Sequence, residues 1–148
     1  MAYLIDTNHC SYIINRDSKI TDKLQSLSSE TFGVSIITHA ELLYMAERSA
    51  RKEQNLEAIQ SFLSEVEIYF LDEETASIYS HLKAKVFNQF APKDKSKRRS
   101  VTIENLGFTD HDLWIAATAI QHGLTLVSAD SDFKRVYQVH PFSLESWI

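Results

Sequence analysis

The sequence predicts an α/β protein with a mostly parallel central sheet and helices on both faces. The strand-like segments AYLID, FGVSII, EIYFL and LTLVS are short and almost wholly apolar, as strands covered on both faces are. Helical stretches separate them, which gives the alternation of a parallel sheet. Only three Gly and two Pro occur in 148 residues, too few for a many-turned all-β chain.

AYLID reads as the first strand, HCSYIINR as a helix and SKITDKLQSLSS as a second helix. FGVSII (Phe32–Ile37) is the second strand. THAELLYMAERSARK then takes helical spacing, with Leu42, Leu43, Met45 and Ala46 on its inner side. NLEAIQSFLSEV repeats that spacing through Leu56, Ile59, Phe62, Leu63 and Val66. EIYFL is a third strand, and DEETASIYSHLKAKVFNQF a long helix with Ile78, Leu82, Val86 and Phe90 in register. APKDKSKRRSVTIENLGF is polar and poorly periodic and reads as a loop. TDHDLWIAATAIQHG is a helix closed by Gly123, at a position that favours a left-handed residue. LTLVS is the fourth strand, DSDFKRV a short helix and HPFSLES a last edge segment.

The length fits one domain, residues 1–148. Cys10 is the only cysteine, so no internal disulfide forms, and a reducing cytoplasmic setting is expected. The start has neither the basic region nor the apolar run of a secretory signal, and no window holds the ~18 apolar residues of a membrane helix. The formal net charge of −5 argues against general nucleic-acid affinity. That average hides a cluster: Lys93–Arg99 carries five of the chain's 15 basic residues.

Acids stand where helices begin. Asp6 follows AYLI, Glu41 follows FGVSII, Asp110 and Asp112 open TDHDLWIAA, and Asp130 and Asp132 follow LTLVS. Each has a plain structural explanation. THAE has the spacing of a capping box with Thr38 as cap and Glu41 reaching back, TDHD has the same spacing, and Asp130 caps a helix by itself. Asp6 resists that reading best, because Asp6, Thr7 and Asn8 supply more polar groups than one cap uses.

Together the acids mean more than they do singly. Parallel strands end on one edge of their sheet, where open α/β sheets bind ligands, so Asp6, Glu41 and Asp130 are expected to meet there, joined by Asp112. Like charges so close need protons or a cation. An all-oxygen set without His or Cys suits Mg²⁺ or Mn²⁺ better than zinc. By helical spacing, only one member of the pair Asp110/Asp112, and only one of Asp130/Asp132, is expected to reach the ion.

The words LIDTN, VSIITHAELLYMA and FTDHDLWIAATAIQHGLTLVSADSDF resemble, in order, the motifs of PIN-domain ribonucleases of the VapC type, the toxins of toxin–antitoxin pairs. The resemblance runs from Tyr3 to about Val136. It implies a PIN-like three-layer fold and a Mg²⁺-dependent endoribonuclease, with Mn²⁺ able to substitute. It maps the family's acids onto Asp6, Glu41, Asp112 and Asp130, as metal ligands and catalytic residues, and leaves Asp110 outside. Thr7, Asn8 and Ser128 become supports for the carboxylates. The resemblance further implies an RNA substrate, a homodimer and a cognate antitoxin whose arginine enters the acidic pocket. His111 stands where the family often has Asn, and the segment from Ala91 to Gly107 looks longer and more basic than in a short member.

The basic run Lys93–Arg99 reads either as a hold on the RNA backbone or as a solvated loop. Tyr44, Trp114 and Phe133 read as packing residues, Cys10 as core, and the histidines near the acids as structural or exposed. The rival to a nuclease is a non-catalytic RNA- or partner-binding module of the same fold, in which the acids are only caps. A phosphoacceptor receiver domain also gathers acids at strand ends, but its early adjacent acids and late lysine are not found in that arrangement.

Overall fold

The computed structural model describes residues 1–148. Strands β1 (Ala2–Ile5), β2 (Thr31–Ser35), β3 (Glu67–Tyr69), β4 (Thr125–Val127) and β5 (Leu144–Glu145) form one sheet, all parallel, in the order β3-β2-β1-β4-β5. The helices are α1 (Thr7–Ile14), α2 (Ser18–Ser26), α3 (Ile36–Arg48), α4 (Lys52–Leu63), α5 (Glu73–Phe90), α6 (Lys95–Ser100), α7 (Asp110–His122) and α8 (Ser131–Val139). None is long and apolar enough to cross a membrane.

Alternation along β1 builds both layers. Tyr3 and Ile5 join Cys10, Ile20, Val34, Leu42 and Ile59 beneath α1–α4, whereas Leu4 joins Leu82, Val86, Leu113 and Phe133 beneath α5, α7 and α8. β4 divides likewise between Leu126 and Val127. From β1 the chain steps outward through β2 to β3, then crosses to β4 on the other side of β1. The order therefore reverses between β1 and β4, and a crevice opens at their carboxyl ends.

Three sequence expectations are corrected. β2 stops at Ser35, whose hydroxyl accepts the Ile37 N–H at 3.1 Å, so Ile36 and Ile37 begin α3 instead of ending a strand. Their side chains are half-buried, which a helical turn facing the sheet satisfies as well as a strand does. Thr38 is thus inside the helix and cannot cap it. The segment after Ala91 is not all loop: Asp94 caps α6 by accepting the N–H groups of Ser96 and Lys97 at 3.0 and 3.2 Å. A 3₁₀ turn follows at Glu104–Leu106, ended by left-handed Gly107 at φ 89°. Finally, the first helix begins at Thr7 rather than His9, because Asp6 is its cap.

Candidate active site

Asp6, Glu41, Asp112 and Asp130 all line one open crevice of about 440 Å³, together with Thr7, Tyr44 and His111. Each is brought there by a different junction.

Asp6 ends β1. Its Oδ1 accepts the His9 backbone N–H at 2.8 Å and lies 3.0 Å from His9 Nδ1. The His9 ring is fully buried, and its Nε2 accepts the Trp147 backbone N–H at 3.3 Å. That bond makes Nε2 the acceptor, so Nδ1 carries the proton and donates it to Asp6. Both bonds end on Oδ1, and Oδ2 has no protein hydrogen bond.

Glu41 lies in the second turn of α3, where Oε1 accepts the Thr7 hydroxyl at 2.9 Å and Oε2 is 3.5 Å from His111 Nδ1. The capping-box explanation of Glu41 is overturned, since the helix starts before Thr38. Thr38 is instead buried beside Thr7, with their hydroxyl oxygens 3.4 Å apart.

Asp112 sits in the first turn of α7, capped by Thr109, whose hydroxyl oxygen accepts the Asp112 N–H at 3.1 Å. Asp110, from the same turn, faces α5: it accepts from the Tyr79 hydroxyl and is 3.0 Å from Lys83 Nζ. Asp130 caps α8 and accepts the Asp132 N–H at 2.9 Å, while its own N–H donates to Ser128 Oγ at 3.1 Å. A cap is thus observed for Asp130, and capping leaves its carboxylate in the crevice.

Carboxylate oxygens of Asp112, Asp130 and Asp132 lie within 4.8 Å of one another. Their donors are all hard oxygens, and the set can hold a divalent cation. Burial, the largest cause, together with the charges of Asp130, Asp132 and Glu41 pushes Asp112 up to about 6, against an opposing side-chain hydrogen bond with Thr109 that outweighs any single one of those charges.

A family model described as PIN domain matches residues 3–139. The chain belongs to the PIN-domain family. Within it, this PIN domain is of the VapC type. It is 31% identical over 150 residues to Ribonuclease VapC2 of Rickettsia felis, covering 99% of this chain and 98% of that one. It is 32% identical over 149 residues to Ribonuclease VapC2 of Haemophilus influenzae, covering 100% and 99%. Among solved structures, VapBC2 from Rickettsia felis bound to a DNA fragment from their promoter is similar at TM-score 0.78 and 29% identity, with both chains covered in full. VapBC from Salmonella typhimurium, at TM-score 0.77 and 24% identity over 100% and 99% of the chains, shares the fold.

Two sequence expectations fail in this PIN domain's crevice. Helical divergence predicts that only one of Asp130 and Asp132 faces the site, and the resemblance selects Asp130, yet both carboxylates join the cluster. Asp130 is the extended cap (φ −69°, ψ 129°) and Asp132 the second residue of α8, so the divergence rule does not apply to the pair. Helical side chains lean toward the N-terminus, which brings Asp132 to the same end as its cap. The words DSDF after an apolar strand carried that signal, had the first Asp been taken as cap and the second as helical. Tyr44 is not a packing residue: it is 60% exposed on the crevice rim, with the Arg48 guanidinium 5.6 Å from its ring centroid. Trp114 does pack, stacked at 3.9 Å on Tyr79, and Phe133 is buried.

Proposed function

We propose that this PIN domain is a Mg²⁺-dependent endoribonuclease, with Mn²⁺ able to substitute, and the toxin of a type II toxin–antitoxin pair. The observation that carries the reading is the convergence of Asp112, Asp130 and Asp132, the first two of which share a crevice with Asp6 and Glu41. The similarity to Ribonuclease VapC2 of Rickettsia felis and to the tRNA(fMet)-specific endonuclease VapC of Salmonella typhimurium supports it.

Asp112, Asp130 and Asp132 would hold the ion. When bound, a divalent cation offsets the site's negative charge, polarises a phosphoryl oxygen and lowers the pKa of a coordinated water. Asp6 offers Oδ2 to the same crevice, its plane fixed through Oδ1 by His9. Glu41, with Oε1 held by Thr7 and Oε2 toward His111, would accept a proton from a water in the crevice. Ser128 holds the loop that aims Asp130. Tyr44 offers an exposed ring face to a base beside the cut.

The partner side of the proposal is an antitoxin and a second copy of this chain. A cavity of about 330 Å³ between α1, α3 and α4 has an apolar floor that includes Ile14, Leu42 and Ile59, and Met45 and Tyr12 are exposed on the same helices. That surface suits an amphipathic segment of a protein partner.

The test is cleavage of total RNA with Mg²⁺ and with EDTA. The parent cuts only with the metal, and Asp6→Asn and Asp112→Asn each lose at least ~100-fold in rate. RNA binding without metal-dependent cutting by the parent would establish the non-catalytic module instead.

A further inference from the structure

The five cations of Lys93–Arg99 have no place in the site above, and the fold gives them one. α6 displays Lys95, Lys97 and Arg99 to solvent, and none of the three has a carboxylate within 4.0 Å. The acid next to them in sequence, Asp94, is turned onto its own helix as the cap, and Glu104 stands exposed on the segment that follows α6. Arg98 differs from its neighbours. Its guanidinium donates to Pro92 O at 3.1 Å and Asn88 Oδ1 at 2.9 Å, and lies 4.9 Å from the Phe87 ring centroid, so it anchors α6 to α5.

Beside this anchor runs an open groove of about 580 Å³, between one face of α5 and the residues that follow α6. Tyr79, Lys83, Phe87 and Asn88 form one wall, and Thr102 and Glu104 belong to the other. At the Lys83 end, Asp110 bonds to Lys83 and Tyr79. Asp110 and Asp112 share the first turn of α7, so the residue that bonds the groove's Lys83 stands two positions from a member of the acid cluster.

Solubility does not explain the cations. The chain is already at −5, and removing them would take it further from neutrality, which favours solubility. Clustered like charges cost the folded state self-repulsion, which a bound polyanion relieves. A protein with net negative charge also repels RNA at long range, so a local positive surface beside the site is what steers the strand in.

The geometry points to a track for a single RNA strand from the acidic crevice along the α5 groove, with its phosphates held by Lys95, Lys97 and Arg99. This rests on the endoribonuclease reading and assigns that site's substrate contacts beyond the cut. Arg98 positions the helix and does not contact the strand.

The experiment is fluorescence anisotropy of a labelled RNA oligonucleotide against salt, with Asp112→Asn as the background to prevent cutting. The triple variant Lys95→Ser, Lys97→Ser, Arg99→Ser should bind about tenfold more weakly and flatten the slope of log affinity against log salt by about 2, from three contacts at ~0.7 each. The charge-keeping variant Lys95→Arg, Lys97→Arg should restore the parental slope. Lys19→Ser, Lys23→Ser, Arg51→Ser, on the α1–α4 side of the sheet, should leave the slope as it was. An unchanged slope in the first triple, with an unchanged melting temperature, overturns the track and leaves α6 as a surface for an acidic protein. The two readings fail separately: a parent that cuts RNA while the α6 triple keeps its slope removes the track alone. A parent that binds through α6 and never cuts removes the nuclease alone.

Discussion

His9 has a double task that its fully buried ring makes testable. Its Nδ1–H holds Asp6 Oδ1, and its Nε2 holds the backbone of Trp147. Asn places an amide nitrogen near the position of Nδ1, and Gln places its amide group near Nε2. His9→Asn should therefore keep Mn²⁺ affinity within about threefold while loosening the C-terminal segment. His9→Gln should do the reverse and lose about tenfold or more in affinity, the usual cost of removing a group that orients a carboxylate in a metal site. Mn²⁺ titration and the fluorescence of Trp147 separate the two; equal metal affinity in both variants would show that His9 does not position Asp6.

Asp112 supplies a pH test with a definite sign. Its folded carboxyl titrates near 6, above the ~4 of an unfolded aspartate. Between those values the folded chain binds more protons than the unfolded one, so in metal-free buffer this group adds stability as pH falls from 7 toward 4. Asp112→Asn removes the buried charge, and with it the repulsion from its acidic neighbours, at all pH values. Melting curves in EDTA should show the variant about 2–4 °C more stable than the parent at pH 7.5, a modest gain because the crevice is solvated. The advantage should vanish near pH 4. A variant less stable than the parent at pH 7.5 would mean that Asp112 is held by partners rather than crowded by them.

At the scale of elements, local chemistry decides which boundaries the sequence reveals. Apolar strands AYLI and LTLV are legible because parallel strands bury both faces. The β2–α3 boundary is not, because Val34, Ser35, Ile36 and Ile37 form an almost unbroken apolar run and only the Ser35 cap bond marks the change. Misplacing that boundary made Thr38 look like a cap and Glu41 like its reciprocal partner. α6 is invisible to periodicity for a different reason: KSKRRS has no apolar face, and Asp94 and the Arg98 anchor make it a helix. Gly33 in β2 makes a further requirement explicit. A Cβ there would meet the Tyr69 ring on β3 and approach Glu67 O at 3.1 Å. Gly33→Ala should cost about 1–3 kcal/mol, as overpacking does. Tyr69→Leu in the same chain should recover part of it, a coupling that urea denaturation of the double-mutant cycle reads directly. Additive losses would mean that the strand gives way elsewhere.

Across the whole molecule, function follows from topology. The strand order reverses at β1 and β4, so Asp6 after the first and Asp130 after the second line one crevice, although they stand at opposite ends of the sequence; Asp6 and Glu41 lie outside the tight cluster of Asp112, Asp130 and Asp132. α3 and α7 add Glu41 and Asp112 to the same crevice. A parallel sheet and acids at its carboxyl edge were legible from apolar runs and junction residues. The third acid of the cluster, Asp132, is not legible from helical spacing, because its partner Asp130 is the extended cap and lies outside the helix.

The central claim is that these carboxylates form a dication site. Anomalous diffraction from a crystal grown with Mn²⁺ tests it most directly. A peak bounded by oxygens of Asp112, Asp130 and Asp132 is expected, and it should disappear in Asp112→Asn. Full Mn²⁺ occupancy elsewhere, with no peak among those oxygens, would contradict it.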